Sequence, residues 1–284
     1  MKNPGTSDHR QHSLAKSAPV PRKLNLENEP ALERSLRDQM QEAAEMQRSL
    51  LPDVSEPIGD YRLASLYRPC ETLGGDFYDL FRGSDSVILL LADVMGHGPE
   101  AALITMLVKA VFQEIVETTQ TPSDVLAKMN TRLHRITPER VYAAATVVRI
   151  QPDKSEMQLA NAGLPYPFVL RCSQHELEEV RVTGFPLGLF NGRASRTYQA
   201  HELSLDPGDV LLLASDGISS VEGDNEQCFD GRRLRRTLTR LAGCDGSKVI
   251  DSLVSEALTF SRGRPLPDDI NLVAISRDLR PGGC

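Results

Sequence analysis

Four acidic positions in this 284-residue chain stand where buried strands should begin or end. The stretch "VILLLADVMGHGPEAAL" is apolar without a break from Val87 to Ala92 and then meets Asp93. "DVLLLASDG" ends in the same way on Asp216-Gly217. Asp268-Asp269 stand immediately before the apolar "INLVAI", and Asp76 follows Gly74-Gly75 in "LGGDFYD". A carboxylate at the edge of a buried strand is costly unless partnered, and otherwise takes up a proton. No Lys or Arg adjoins these positions in sequence. Each Asp alone has an ordinary reading, because Asp-Gly is a common turn and a strand-end Asp often caps the next helix. Four together, with glycines that let backbone carbonyls and a substrate come close, point to a hard divalent cation bound through oxygen. Thiolate motifs are absent and His is scarce, so Mg²⁺ or Mn²⁺ fits better than Zn²⁺.

The turn after Asp93 holds Gly96, His97 and Gly98. His97 has two readings: a general acid that protonates a leaving oxygen, or a side chain that fixes the turn through a hydrogen bond. The second is favoured. Gly96 and Gly98 read as backbone requirements of that turn rather than as a phosphate cradle, since the chain contains neither GxxxxGK[ST] nor GxGxxG.

Composition removes several classes of function. With 40% hydrophobic and 25% charged residues the chain is an ordinary globular one. A formal net charge of −7 and no long Lys/Arg run argue against a nucleic-acid partner. The five cysteines are scattered and form no CxxC pair, which argues against a disulfide framework and a thiolate zinc site and fits a reduced, cytoplasmic setting. No apolar run approaches the roughly 18–20 residues of a membrane span, and no signal-peptide pattern is present.

The elements that must position the carboxylates follow from pattern. Residues 1–28 are polar and Pro-rich and predict disorder. In residues 29–52, Leu32, Leu36, Ala43, Met46 and Leu50 form one seam at spacings near 3.5, interrupted by Gln39; an amphipathic helix ended by Pro52 is expected. It either packs on its own domain or serves as a regulatory element over residues 30–51, forming a short coiled coil that dimerises or taking an activating partner. From 55 to 280 one domain is expected. Its strands are "YRLASLYRP", "GDFYDLFRG", "SVILLLADV", "YAAATVVRIQ", "EMQLANAG", "PFVLRC", "RTYQAHELSL", "DVLLLASDG" and "INLVAISRD". Helices are expected at 99–118, 122–136 (Thr121 as cap, Pro122 in the first turn), 231–242 and 246–261. Strict βαβ alternation is missing, which predicts α+β with largely antiparallel sheets and outer helices.

"LGGDFYDLF", "LADVMGHGPEAAL", "NAGLPYPFVL", "GFPLGLF", "DVLLLASDGI" and "PDDINLVAI" occur in an order that resembles the SpoIIE-like metal-dependent protein phosphatases, the bacterial branch of the protein phosphatase 2C class. The resemblance covers residues 40–277, and "EMQRSLLP" resembles the helix that precedes the domain in that family. It implies two stacked antiparallel sheets flanked by helices, with two Mn²⁺ or Mg²⁺ ions at one end. It further implies that Asp93 bridges the metals and the Val94 carbonyl binds one. Asp76 would bind directly or through water, Asp216 would be a direct ligand, and Asp268, with Asp269 close behind, would supply the last. A metal-bridging hydroxide would then attack a phosphoserine or phosphothreonine protein, often an anti-sigma-factor antagonist in a partner-switching pathway. The chain departs from the family at Met95, where a small residue is usual, and at Asn271, where Thr is frequent. Two alternatives stand beside this reading: a catalytically weak phosphoprotein-binding module of the same fold, and a hydrolase of small phosphate esters.

Overall fold

The computed structural model describes residues 29–138, 141–190, 198–224 and 227–279. The segment 1–28 expected to be disordered lies outside them. The chain divides between Gln39 and Met40, and both sheets belong to the unit that begins at Met40.

Among the described residues, ten strands form two five-stranded antiparallel sheets. One contains β2 (Asp76–Arg82), β3 (Val87–Val94), β4 (Ala143–Ile150), β5 (Glu156–Ala162) and β8 (His201–Ser204), in the order β2-β3-β4-β5-β8. The other contains β1 (Tyr61–Arg68), β6 (Phe168–Arg171), β7 (Glu176–Glu179), β9 (Val210–Ala214) and β10 (Ile270–Arg277), in the order β1-β10-β9-β6-β7. Between the sheets lies a core that includes Leu89, Leu91, Val148, Leu159, Leu211, Leu213, Val273 and Ile275. Helices α2 (Gly98–Val116) and α3 (Pro122–Ile136) bury Phe112, Val125 and Met129 against the outer face of the first sheet. Helices α4 (Gly217–Ser220), α5 (Gly231–Arg240) and α6 (Gly246–Ser261) cover the second around Phe229, Leu238 and Leu253. The central strands are buried on both faces, which is why β3, β9 and β10 read as continuous apolar runs rather than as alternation. This is the α+β sandwich of two stacked antiparallel sheets that the motifs imply.

Three local features go beyond the expectations or change them. Helix α1 (Glu29–Ser49) buries Ala44 and Gln47, with Met40 partly covered, whereas Leu32, Leu36, Ala43, Met46 and Leu50 of the seam are exposed. Its packed face is thus displaced by one residue, because Gln47 is held by hydrogen bonds rather than by apolar burial. Strand β7 was not expected: "ELEE" is polar, and as the edge of its sheet it is half exposed. Thr121 occupies the N-cap of α3 but its side chain makes no capping bond, which leaves Pro122 as the starting signal.

Candidate metal centre

The carboxylates meet where the two sheets end together. Strands β2 and β3 pair in a register that sets Asp76 directly opposite Asp93. Like charges on facing residues destabilise a strand pair, so this register needs something else to hold it. Gly75 permits it sterically: a Cβ there would lie 2.6 Å from the Val94 carbonyl oxygen and 2.8 Å from that of Gly96. The Gly75 carbonyl accepts from Val94 N at 3.2 Å and from Thr105 Oγ1 at 2.8 Å, locking the turn before β2 to β3 and α2.

From the other sheet, β9 delivers Ser215 and Asp216. Asp216 is the N-cap of α4, but its side chain makes no capping bond and stays free, while its carbonyl accepts from Ser219 and Ser220. Gly217 is required by what lies against it, since a Cβ would fall 1.8 Å from the Asp269 carbonyl oxygen. The start of β10 therefore presses on the Asp216-Gly217 turn, where Ser215 and Asn271 exchange bonds: Ser215 N donates to Asn271 O at 2.9 Å and Asn271 N to Ser215 Oγ at 3.0 Å.

The adjacent acids Asp268 and Asp269 have different surroundings. Asp269 is buried and ties the 70–76 loop to β10: its Oδ1 accepts from Cys70 N at 2.7 Å, and its Oδ2 from Gly75 N at 2.7 Å and Asp76 N at 3.3 Å. Asp268 Oδ1 accepts the Asp269 N–H at 2.8 Å, and the side chain is partly exposed. Gln47 of α1 braces the same loop by donating to Gly74 O at 2.8 Å and accepting from Gly74 N at 3.2 Å and Tyr67 Oη at 3.3 Å.

The acids perturb one another. Burial raises the Asp76 carboxyl well above the ordinary range, Asp93 adds to it, and Asp269 and Asp268 add less, against a lowering by the Ser215 hydroxyl. Asp93 is raised from 3.8 to about 6 by burial first and then by Asp216 and Asp268. Asp216 is raised by burial and then by Asp268. Among the described residues no Lys or Arg forms an ion pair with Asp76, Asp93, Asp216, Asp268 or Asp269. Asp76 Oδ2 and both polar atoms of the Asn271 amide are buried with no hydrogen-bond partner. Mutually repelling acids around an orphaned buried oxygen are what a cation-binding site offers, and an all-oxygen donor set suits Mg²⁺ or Mn²⁺. The residues present therefore fit divalent cations.

The turn residues behave as spacers. Gly96 and Gly98 have φ of +90° and +76°, which an L side chain rarely adopts. His97 is more than half exposed and its Nδ1 lies 2.9 Å from Glu71 Oε1, so it joins the β3–α2 turn to the 70–76 loop. Met95 is exposed beside this turn. Sequence reading missed Gln47 and Cys70. Gln47 lies beside the apolar seam of α1, one position past Met46, and as a polar residue it escapes the apolar pattern; Cys70 belongs to no spacing motif, and its one signal was proximity to Gly74-Gly75.

A two-sheet sandwich with helices on both outer faces and acids gathered at one end defines the protein phosphatase 2C-like class of fold. The family described as "Stage II sporulation protein E (SpoIIE)" matches residues 83–278, and the chain belongs to that family. It is similar to the phosphoserine phosphatase RsbU of Bacillus subtilis (strain 168), at 22% identity over 248 residues that cover 87% of this chain and 72% of RsbU. In structure it is similar to the SiaA-PP2C domain of Pseudomonas aeruginosa, with a TM-score of 0.78, 23% identity and coverage of 87% and 99% of the two chains. The catalytic domain of the serine/threonine protein phosphatase PstP in complex with two manganese ions has a TM-score of 0.52, 17% identity and coverage of 76% and 97%. The SpoIIE-like assignment and the sandwich read from the motifs both hold.

Proposed function

We propose that the chain is a metal-dependent serine/threonine protein phosphatase that removes phosphate from phosphoserine or phosphothreonine on a regulatory protein, with Mn²⁺ or Mg²⁺ as cofactor and two ions per site. The observation that carries this is the Asp76–Asp93 register, with Asp76 Oδ2 buried and unpartnered. Asp76, Asp93, Asp216, Asp268 and the Val94 carbonyl are the proposed ligands. Asp269 is assigned to the loop rather than to these ions, because three backbone N–H groups occupy its carboxylate. When bound, the cations supply an activated water and charge stabilisation at the phosphoryl oxygens. The chain's part is to hold the carboxylates convergent, and to fix the Val94 carbonyl through the close approach at Gly75. His97 positions the turn by its contact with Glu71.

Family membership and the likeness to RsbU support a small anti-sigma-factor antagonist of a partner-switching pathway as substrate. None of the described helices is long and apolar enough to cross a membrane, and the four described cysteines are free, which is consistent with a cytoplasmic setting. The exposed α1 seam of Leu32, Leu36, Ala43, Met46 and Leu50 supports pairing with a second copy of the chain. Gln47, which borders that seam, gives such pairing a route to the metal-site loop.

The test is hydrolysis of a phosphoserine peptide with Mn²⁺ and with EDTA, for wild type and Asp93→Asn. Turnover that requires Mn²⁺ and disappears in the variant is expected. Wild-type inactivity in millimolar Mn²⁺, with the fold intact and α1 pairing established by sedimentation, overturns the reading in favour of a phosphoprotein-binding module.

A further inference from the structure

Asn271 is wholly buried, and among the described residues neither polar atom of its amide has a hydrogen-bond partner. An amide is costly to bury alone, so its place needs a reason. Its direction follows from strand alternation. Val273 and Ile275 of β10 point into the core between the sheets, so Asn271 points the same way, nearer the acids. Tyr67 of β1 is its direct partner on one side, and Ser215 is bonded to it from the β9 side. Tyr67, Asn271 and Ser215 thus form one inward-facing row across the second sheet.

Asp76 stands opposite this row. Deeper in the core, Ser65 Oγ of β1 reaches across to Tyr78 Oη of β2 at 2.9 Å. Ser65 lies two residues before Tyr67, and Tyr78 two residues after Asp76. One step of two along each strand, toward the acids, therefore brings Asp76 over the row that holds Asn271. Both outer members of the row respond to it. The Tyr67 hydroxyl is raised by burial, then by Asp269 and Asp76. The Asp76 carboxyl is raised most by burial, and the Ser215 hydroxyl acts against that rise. The central member, Asn271, faces the same carboxylate, whose Oδ2 is likewise buried without a partner among the described residues.

We propose that Asn271 is a positioning residue for Asp76, linked to its carboxylate by ordered water held between the two sheets. The water accepts from Asn271 Nδ2 and donates to Asp76 Oδ2 and Asn271 Oδ1, which satisfies all three buried atoms. A carboxylate oxygen offers about two lone-pair sites, so water on one side of Oδ2 leaves the other side for an ion. The link fixes the rotation of the carboxylate from beneath and ties β2 to β10 at the end where the acids meet. A Thr hydroxyl at position 271 can hold the same water, whereas Val, nearly equal to Thr in shape, cannot.

The link stands on strand register and burial. Its consequence for metal binding rests on the phosphatase reading of the acids, since hydrogen bonds behind a ligand set metal affinity by about 10–100-fold.

The test compares Asn271→Thr with Asn271→Val on the full chain, with Mn²⁺ affinity read by calorimetry in the absence of substrate. Asn271→Thr is expected to stay close to wild type, and Asn271→Val to bind about 10–100-fold more weakly. Where wild type binds Mn²⁺, equal affinities in the two variants overturn the proposal, because shape alone then decides what position 271 does. A second measurement needs no variant: a high-resolution crystal structure of the wild type should show ordered water within about 3.2 Å of both Asn271 and Asp76. A direct contact between the two side chains, an ion in that place, or neither, overturns the link. A wild type that has this water but binds no Mn²⁺ keeps the link and loses the phosphatase reading. A wild type that hydrolyses phosphoserine with Mn²⁺ but lacks the water loses the link alone.

Discussion

Asp93→Asn should make the metal-free protein more stable at neutral pH, although it removes a proposed ligand. The Asp93 carboxyl titrates at about 6 in the fold, against 3.8 for an ordinary Asp, with burial the larger cause and Asp216 the next. A carboxyl raised on folding favours the fold while protonated. That contribution is fully present below pH 4 and is lost as the pH climbs through about 6. At pH 7 the charged side chain costs the metal-free fold on the order of 3 kcal/mol, at about 1.4 kcal/mol for each pH unit between the two values. Asn has nearly the same shape and no charge. In EDTA at pH 7 the variant should therefore melt roughly 6–12 °C above wild type, using about 2–4 °C per kcal/mol for a domain of this size. The advantage should shrink on acidification and be gone near pH 4. Mn²⁺ should reverse the order, because it stabilises the wild-type fold by binding and has lost a ligand in the variant. Thermal unfolding followed by circular dichroism at pH 7, 5.5 and 4, in EDTA and in Mn²⁺, covers these conditions. A variant no more stable than wild type in EDTA at pH 7 would refute the claim that repulsion and burial at this site are relieved by a cation.

Three further substitutions probe the supports. Gln47→Ala leaves the Gly74 N–H and carbonyl and the Tyr67 hydroxyl without their partner; at about 1–3 kcal/mol for unsatisfied buried groups, Mn²⁺ activation should need about 5–150-fold more metal, measured by metal titration of turnover. Gly217→Ala places a methyl group 1.8 Å from the Asp269 carbonyl oxygen, so it should displace the start of β10 and abolish Mn²⁺ binding by calorimetry even where soluble protein is recovered. Asp79→Ala removes the carboxylate that holds Lys109 Nζ at 2.6 Å and Gln113 Nε2 at 2.7 Å; leaving a largely buried ammonium unpaired should cost about 3–5 kcal/mol in urea denaturation, with the Mn²⁺ requirement of the folded fraction unchanged.

The central strands were legible because they are buried on both faces, and an apolar run that stops at an acid needs no tertiary knowledge to be noticed. The helix α3 was legible to the residue from Pro122 and its apolar period. What the chain could not display locally was pairing. Nothing near Tyr61 announces that β1 lies against β10, and nothing in "PDDINL" says which of two adjacent acids will be occupied by backbone donors. The packed face of α1 was hidden for a related reason: a buried polar side chain satisfied by a distant loop counts as surface in any pattern of hydrophobicity. Asn271 could be noted as unusual from sequence, but only the fold shows its amide buried without a partner.

Strand β1 has one neighbour, β10, matched from Tyr61↔Arg277 to Arg68↔Ile270. A ribosome making this chain releases the first strand roughly 200 residues before its mate, a delay on the order of 10–40 s at ordinary elongation rates. Through that interval the Cys70–Asp76 loop has no Asp269 to gather its N–H groups, and Asp76 faces Asp93 without the opposing sheet. A nascent or prematurely terminated chain is thus unable to assemble the site, however much of the first sheet has formed. The site is therefore completed only when β10 has been made.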